Sequence, residues 1–351
     1  MIHYQDAIFK NLSIHYVGNK HQDQYYSLGK SPVDISEDEV LPGLLLQYFF
    51  KPFAKVEEEY CFFHPNEDLE LNVVYHFINS YFSNDGDFHS MSQELAKHLY
   101  EVTSHPNIKP GEMYITQVED ITFKGEDYQA IGIFKSENKD TYLKVYPKSE
   151  NFEITYEQEA ININKLDKGV LVLFHADSKE FKVFVVDQTN KQDAVYWKDD
   201  FLQVKQVSNE YAQTGNLMKV YKKFVQKDMD ELFELEAVDK IDLLNRSLDF
   251  LKNNEVFEQE KFQEEVIGHP SAIALYKQSV DAYEKEFEVN IGDQFTIAAP
   301  AVKKHQNAYK SVLKLDKNFH IYVHGNRELI ERGFDEDRGM NYYKVYFEQE
   351  K

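Results

Sequence analysis

Apolar and polar residues alternate along most of the segment from residue 112 to residue 187. Alternation with a period of two is typical of strands that bury one face, and the polar segments between these runs carry turn-forming residues. We therefore predict a mainly antiparallel sheet of about five or six strands. The predicted strands lie in six runs, MYITQVEDITF, DYQAIGIFKS, TYLKVYP, NFEITYE, GVLVLFHA and FKVFVVDQ.

Helical periodicity precedes this sheet, after strands at the start of the chain. The segment SEDEV predicts a helix start, with Ser36 as the N-cap and Glu39 completing a capping box. Two further helices are predicted at about 68–82 and 90–104, the second one capped by Ser90.

The pattern becomes helical again beyond the sheet. Helices are predicted at roughly 200–226 and 230–252, and a third begins after Pro270 with Ser271 as its cap. The turn sequences DKN and DEDRG then predict two β-hairpins near the end of the chain. The predicted fold class is α+β. Its N-terminal domain, 1–200, contains helices with a mainly antiparallel sheet, and its C-terminal domain, 201–351, contains helices followed by β-hairpins.

Composition predicts where the protein is located and limits how it can bind nucleic acid. No apolar run approaches the roughly 20 residues of a membrane helix, and the first residues lack a signal-peptide pattern. The single cysteine, Cys61, allows no internal disulfide. We therefore predict a cytoplasmic protein without a membrane partner. The net charge is −22, so binding to nucleic acid requires positive charge to be concentrated at particular places.

The known catalytic and metal-binding patterns are absent from the sequence. It contains no GxxxxGK[ST], GxGxxG or GxSxG motif. Cys61 stands in the aromatic run YCFFH, where burial is the usual outcome. His320 and His324 share a face of a predicted strand, but no HExxH or CxxC completes a ligand set. We predict no catalytic residue, no metal site and no cofactor, and hence a protein that is not an enzyme.

The first basic segment is NLMKVYKKFVQK, residues 216–227. Apolar residues recur at helical spacing, and Lys219, Lys222 and Lys223 occupy the opposite face, with Lys227 nearby. This pattern predicts a helix with one apolar face and one lysine face. A helix face that is merely solvated explains the same lysines.

The second basic segment, residues 303–327, has a net charge of +5, from six basic residues against Asp316. Its basic residues are Lys303, Lys304, Lys310, Lys314, Lys317 and Arg327. Strand alternation places a mixed basic and aromatic set on one hairpin face, comprising Lys310, Lys314, His320, Tyr322 and His324. Such a face suits phosphate contacts combined with ring stacking, and an ordinary solvent-facing hairpin is the alternative. Between the two segments, residues 228–265 hold thirteen acidic and four basic residues, a net charge of −9.

The chain resembles the NdpA-type nucleoid-associated proteins of bacteria over nearly its whole length. The resemblance lies in HYQDAIFKNLSIHYVG, INKLDKGVLVLFHAD, WKDDFLQVKQVSNEYAQTGNLMKVYKKF and KSVLKLDKNFHIYVHGNRELIERGFDEDRGMNYYKVYF. It implies association with the bacterial nucleoid through DNA, and no enzymatic activity. The family carries no residue-level DNA-binding motif that can be transferred, so the basic residues above follow from charge and periodicity alone.

The leading hypothesis is a non-enzymatic nucleoid-associated protein that binds double-stranded DNA with little sequence preference, through the lysine-rich surfaces of its C-terminal half. One alternative is an acidic adaptor that reaches the nucleoid through a basic protein partner, and the acidic segment 228–265 motivates it. A second is a metal-dependent nuclease with dispersed acidic ligands. A homo-oligomer is compatible with all three.

Overall fold

The computed structural model describes residues 2–84, 86–103, 105–188, 196–309, 312–317, 319–323 and 329–349. It confirms the α+β class, since helices are combined with mostly antiparallel sheets. The chain divides into two compact units, Met1–Val207 and Ser208–Lys351.

The first unit contains a large sheet with helices packed on it. Its helices are α1 (Leu41–Phe50), α2 (Val73–Asn84) and α3 (Phe88–Val102). Its strands are β1 (Ile2–His3), β2 (Ile8–Val17), β3 (Ser27–Leu28), β4 (Tyr60–Phe62), β5 (Gly111–Phe123), β6 (Glu126–Ser136), β7 (Asp140–Lys148), β8 (Asn151–Ala160), β9 (Lys168–Phe174), β10 (Phe181–Asp187) and β11 (Val204–Gln206).

The large sheet has nine strands within the described residues, in the order β11-β4-β10-β9-β6-β5-β2-β3, with β1 also paired to β5. Every pairing in it is antiparallel. The sheet is larger than predicted because four of its strands have two or three residues, too few for an alternating pattern to be recognised. The prediction that TYLKVYP and NFEITYE belong to the same sheet is wrong, since β7 and β8 pair with each other in a separate hairpin.

Both faces of the sheet are buried. On one face, Ile133 and Val170 belong to a core that includes Leu95 and Leu99 of α3. On the other face, Phe134 stacks on Phe49 of α1 at 4.3 Å between ring centroids. A strand covered on both sides has no polar face, which explains the continuous apolar run GVLVLF of β9.

Two predicted helix caps in this unit are wrong. The first helix begins at Leu41 rather than after Ser36, because the Asp38 carboxylate accepts the N–H groups at the helix start. Likewise Asp87, not Ser90, caps α3, and its carboxylate accepts the Ser90 N–H at 2.6 Å. In both cases an aspartate close in sequence to the predicted cap residue satisfies the first N–H groups of the helix.

The second unit is mainly helical and ends in two hairpins. Its helices are α4 (Glu210–Gln226), α5 (Ala237–Asn253), α6 (Gln259–Phe262), α7 (Pro270–Phe287) and α8 (Ala299–His305). Its strands are β12 (Val256–Glu258), β13 (Gln294–Thr296), β14 (Val312–Leu315), β15 (Phe319–Tyr322), β16 (Ile330–Asp335) and β17 (Met340–Val345). The strands pair as β12–β13, β14–β15 and β16–β17, which confirms the two predicted terminal hairpins.

The predicted starts of these helices are shifted, since α4 and α5 begin later than predicted and α7 begins earlier. Residues 196–202 form a π-helical turn and β11 belongs to the large sheet, so α4 begins only at Glu210, with Asn209 as its N-cap. The helix α7 begins at Pro270, and its N-cap is His269 rather than Ser271. Proline favours the first helical position, which places the N-cap one residue before it.

Candidate nucleic-acid interface

Helix α4 lies at the centre of the second unit. The predicted apolar face is confirmed, since Leu217, Val220, Tyr221, Phe224 and Val225 are at most 1% exposed. The buried surface is also wider than the periodicity predicts, because Thr214, Gly215, Asn216 and Met218 are buried as well. Packing on several sides leaves only a narrow strip of the helix facing solvent.

The lysines of α4 occupy that strip. Lys219 is exposed and Lys222 is half-buried. The side chain of Lys223 is 41% exposed, and its Nζ lies 3.8 Å from Glu286 Oε2. Lys227 is exposed and stands at the C-cap, where positive charge also interacts favourably with the helix dipole.

Helix α8 packs along the N-terminal half of α4. The Lys304 Nζ lies 5.8 Å from the centroid of the Tyr211 ring. His305 follows directly, and a Cβ at Gly215 would lie 3.2 Å from its Nε2. The two helices therefore approach each other closely at Gly215, where an added Cβ would need the His305 ring to shift by a few tenths of an ångström.

The chain then continues beside α4. The Tyr309 hydroxyl donates a hydrogen bond to the Met218 carbonyl, and Tyr309 is 3% exposed. Burial raises the pKa of Tyr309 well above its ordinary value, so the hydroxyl stays a neutral donor. Residues 304–309 therefore run along α4 from Tyr211 towards its middle.

These contacts place basic residues from two distant segments on one side of α4. Tyr211, Gly215, Lys219 and Lys222 are spaced four, four and three residues apart, so they lie on a single helical stripe. Lys304 lies at the start of this stripe, and Lys219 and Lys222 lie further along it. From Tyr211 to Lys222 the helix rises by about 16 Å. We call the set Lys219, Lys222 and Lys304 the α4–α8 basic stripe; Lys303 is also exposed on α8, where it lines a cavity with Leu251 and Thr296.

The first terminal hairpin has the predicted alternation. Lys314 lies directly opposite His320, and Leu313 lies opposite Ile321. Leu313 and Val323 are buried with Val238 and Ile241 of α5, while Lys317, His320 and Tyr322 are exposed. Phe319 is 62% exposed, although it lies on the same face of β15 as Ile321. It stands beside the turn, where the inward face is no longer covered.

Part of this predicted hairpin face cannot be placed. Lys310, His324 and Arg327 lie outside the described residues, and the side chain of Lys314 is not described either. The hairpin itself packs on α5, whereas Lys303 and Lys304 belong to α8 beside α4. The second basic segment is therefore divided, because its α8 part lies beside α4 and its hairpin part packs on α5.

One group of charged residues was not predicted as a site, because its members are far apart in sequence. We call Lys135, Glu137, Lys168, Asp187 and Tyr196 the buried charged cluster. Lys168 Nζ donates to both carboxylate oxygens of Asp187 at 3.0 Å, and Lys135 Nζ donates to Glu137 Oε1 at 2.9 Å. Burial lowers the pKa of Lys135, and the nearby Glu137 opposes that shift. Lys135 and Lys168 are at most 1% exposed, so they cannot contact a macromolecular ligand.

The predicted burial of Cys61 is wrong. Its neighbours Tyr60 and Phe62 point into the core from β4, so alternation turns Cys61 towards solvent. Partial desolvation raises the pKa of the Cys61 thiol, whereas a nucleophilic cysteine requires a lowered pKa. Within the described part of the chain, no group of three or more His, Cys, Asp or Glu side chains is arranged to hold a metal ion. In the same residues no helix combines the length and apolarity needed to cross a membrane.

Comparison with known proteins identifies the family. A family model described as nucleoid-associated protein YejK matches residues 13–342. No curated protein and no solved structure matches the chain. The match covers most of the sheet, α4, α8 and most of the terminal hairpins, and it confirms the resemblance to nucleoid-associated proteins. The chain belongs to the nucleoid-associated protein YejK family.

Proposed function

We propose that this family member is a non-enzymatic protein of the bacterial nucleoid that binds double-stranded DNA directly and with little sequence preference. The observation that carries the proposal is the α4–α8 basic stripe, in which packing gathers lysines some 80 residues apart in sequence onto one side of α4. Lys223 and Lys227 extend the stripe towards the end of α4, and Lys317, His320 and Tyr322 would add a second contact from the hairpin.

The dimensions of the stripe fit a duplex backbone. A length of about 16 Å corresponds to roughly half a turn of B-DNA, along which each strand presents a phosphate about every 3.4 Å. Lysines at helical spacing act as point charges towards such a row and do not read base edges. This explains why we propose binding with little sequence preference.

Charge segregation explains how a chain with a net charge of −22 could bind DNA. Screening limits exposed charges to an effective range of about 8 Å at physiological salt. Acidic side chains on other surfaces therefore weaken the attraction of the stripe without cancelling it. Glu286, near Lys223, lies within that range and would reduce the contribution of this lysine.

The test is fluorescence anisotropy with a labelled duplex of mixed sequence at about 50 and 200 mM salt. We expect Lys219→Glu/Lys222→Glu/Lys223→Glu to weaken binding at least about tenfold at the lower salt concentration. Loss of three phosphate contacts should also reduce the slope of log affinity against log salt by roughly 3. Lys303→Glu/Lys304→Glu should reduce the slope by roughly 2 for the same reason.

A matched control separates local contacts from total charge. Lys51, Lys55 and Lys179 are exposed lysines of the first unit. Reversing all three makes the same change in net charge as the α4 triple variant, and should leave the salt slope unchanged. Equal weakening by the two triple variants, or no binding by the wild type at about 50 mM salt, would contradict the proposal.

The adaptor alternative has its own outcome. A pull-down from nuclease-treated lysate would retain a basic protein partner if the chain reaches the nucleoid indirectly. The exposed acidic residues of segment 228–265 would then form the contact surface, among them Glu231, Glu234 and Asp249. A DNA cleavage assay with added Mg²⁺ or Mn²⁺ distinguishes the nuclease alternative, for which we expect no cleavage.

A further inference from the structure

The hairpin β7–β8 has one wholly apolar face. In its register Leu143 lies opposite Tyr156, Val145 opposite Ile154, and Pro147 opposite Phe152. Residues at alternate positions share a face of a strand, so all six side chains project to one side. We call this set the apolar hairpin face.

Solvent reaches nearly all of that face. Exposed fractions are 75% for Phe152, 70% for Leu143, 66% for Ile154, 64% for Tyr156 and 62% for Val145. These values show that the exposed residues form one contiguous apolar patch. Isolated exposed apolar residues are common, whereas a contiguous patch of this kind marks an interaction surface.

The opposite face of the hairpin is polar and internally paired. Lys144 Nζ lies 2.6 Å from Glu157 Oε2. Glu153 accepts a hydrogen bond from the Tyr146 hydroxyl at 2.7 Å and forms an ion pair with Lys148. The charged groups of the paired strands thus lie on one side, and the apolar hairpin face contains none.

A two-stranded hairpin in water is marginally stable by itself. Within the described residues, β7 and β8 pair with no other strand. Burial of its apolar side would stabilise this hairpin in its paired form. We infer that the apolar hairpin face is covered by the same face of a second copy of the chain, so that the protein is a homodimer joined through β7–β8.

The area agrees with a dimer. Five large apolar side chains at about two-thirds exposure, each with about 150–200 Å² of surface, correspond to roughly 500–650 Å² per copy. Two copies would bury roughly 1,000–1,300 Å² in total, which reaches the lower range of specific protein interfaces. The face also carries the aromatic residues Phe152 and Tyr156, a type enriched in such interfaces.

The chemistry of the face disfavours other occupants. DNA offers phosphates, and the apolar hairpin face has no cation to meet them. An anionic membrane surface would repel a chain with a net charge of −22, and binding there usually requires a basic polar face beside the apolar one. A second copy presents an uncharged apolar face of the same shape, and a twofold axis makes such a face complementary to itself.

The test is the molar mass of the full-length chain by sedimentation or light scattering between about 1 and 100 µM. The chain mass is 41.4 kDa, so the wild type should reach twice that value. The variant Val145→Glu/Ile154→Lys places opposite charges on a directly opposed pair, so it preserves cross-strand pairing and net charge. We expect this variant to be monomeric over the whole range.

A matched control exchanges a directly opposed pair on the other face. Lys144→Thr/Thr155→Lys also leaves the net charge unchanged and should remain dimeric. A monomeric wild type at about 100 µM would overturn the inference, and so would a dimer unaffected by Val145→Glu/Ile154→Lys.

Hydrogen exchange of the wild type covers the case in which the variant does not fold. Dilution from about 100 µM to below 1 µM should accelerate exchange of the paired backbone amides in 142–157, because the uncovered hairpin opens more often. Exchange that does not depend on concentration would overturn the inference. This outcome is independent of DNA binding, so the two proposals can fail separately.

Discussion

Replacing Lys168 by alanine is expected to lower the free energy of unfolding of the first unit by about 3–5 kcal/mol. Lys168 is fully buried and donates to both oxygens of Asp187, whose side chain is 4% exposed. The substitution removes the ammonium group and leaves a carboxylate buried without that partner. An uncompensated buried charge costs far more than the net contribution of the intact pair.

Urea unfolding followed by Trp197 fluorescence measures this effect. Trp197 is the only tryptophan in the chain and is buried in the first unit, so it reports on this unit. Lys182→Ala is the matched control. Lys182 lies on the neighbouring strand β10, its Nζ is 3.4 Å from Glu59 Oε1, and its side chain is 27% exposed. The control should cost less than about 1 kcal/mol.

A double variant tests the mechanism of this loss. Lys168→Met/Asp187→Leu removes both charges and should be less destabilising than Lys168→Ala, since neither buried charge remains. If the double variant is the less stable of the two, uncompensated charge is not the cause. Equal losses for Lys168→Ala and Lys182→Ala would contradict the prediction itself.

Acidification is expected to destabilise the first unit through His15. Burial, with a smaller contribution from the neighbouring His89, lowers the pKa of His15 from 6.5 to about 4. Its Nδ1 accepts the Gly29 N–H at 3.0 Å, and its Nε2 lies 2.9 Å from Ser92 Oγ. A proton on Nδ1 would face the Gly29 N–H donor and break that hydrogen bond.

The direction of this pH effect follows from the linkage between proton binding and folding. The unfolded chain binds this proton near pH 6.5, and the folded chain binds it only near pH 4, so the unfolded state gains stability as the pH falls. The contribution of His15 is fully present above pH 6.5 and is lost as the pH falls towards 4. One pKa unit corresponds to about 1.4 kcal/mol, so the loss amounts to about 3 kcal/mol.

Urea unfolding at several pH values between 7 and 4 measures this loss, again by Trp197 fluorescence. We expect His15→Asn to flatten the pH dependence, although His98, whose pKa burial also lowers, retains part of it. His3 is exposed, so His3→Asn should leave the profile close to that of the wild type. A profile unchanged by His15→Asn would show that another group causes the acid sensitivity.

Local periodicity determined much of the secondary structure. The apolar face of α4 and the two terminal hairpins were predictable, because helical and strand periods are set by neighbouring residues. The same reasoning placed Lys219 and Lys222 on the exposed strip of α4. Helix starts were less predictable, since several nearby side chains can satisfy the first N–H groups.

Tertiary structure decided which strands join. The segment TYLKVYP alternates like the strands of the large sheet, yet β7 pairs only with β8 within the described residues. Alternation indicates that one face of a strand is apolar, but it does not identify what covers that face. The apolar hairpin face therefore emerges only from the exposed fractions of its residues.

The buried charged cluster could not be predicted from local sequence patterns either. Lys135 and Lys168 lie directly opposite each other on β6 and β9, and their carboxylate partners come from other positions. In sequence each resembles an ordinary lysine at the end of a strand. Only the pairing of three strands, with Tyr196 packed beside them, encloses both ammonium groups.

The sequence by itself determined that the chain is acidic overall and that two segments of its C-terminal half, 216–227 and 303–327, are rich in lysine. It also determined the helical face on which the first group lies, because that face depends only on spacing along one helix. Tertiary structure alone placed Lys304 over Tyr211 and separated the hairpin from α8. The physical reason is that charge segregation in space depends on which helices pack together, and contacts such as that of His305 with Gly215 join residues about 90 positions apart in sequence.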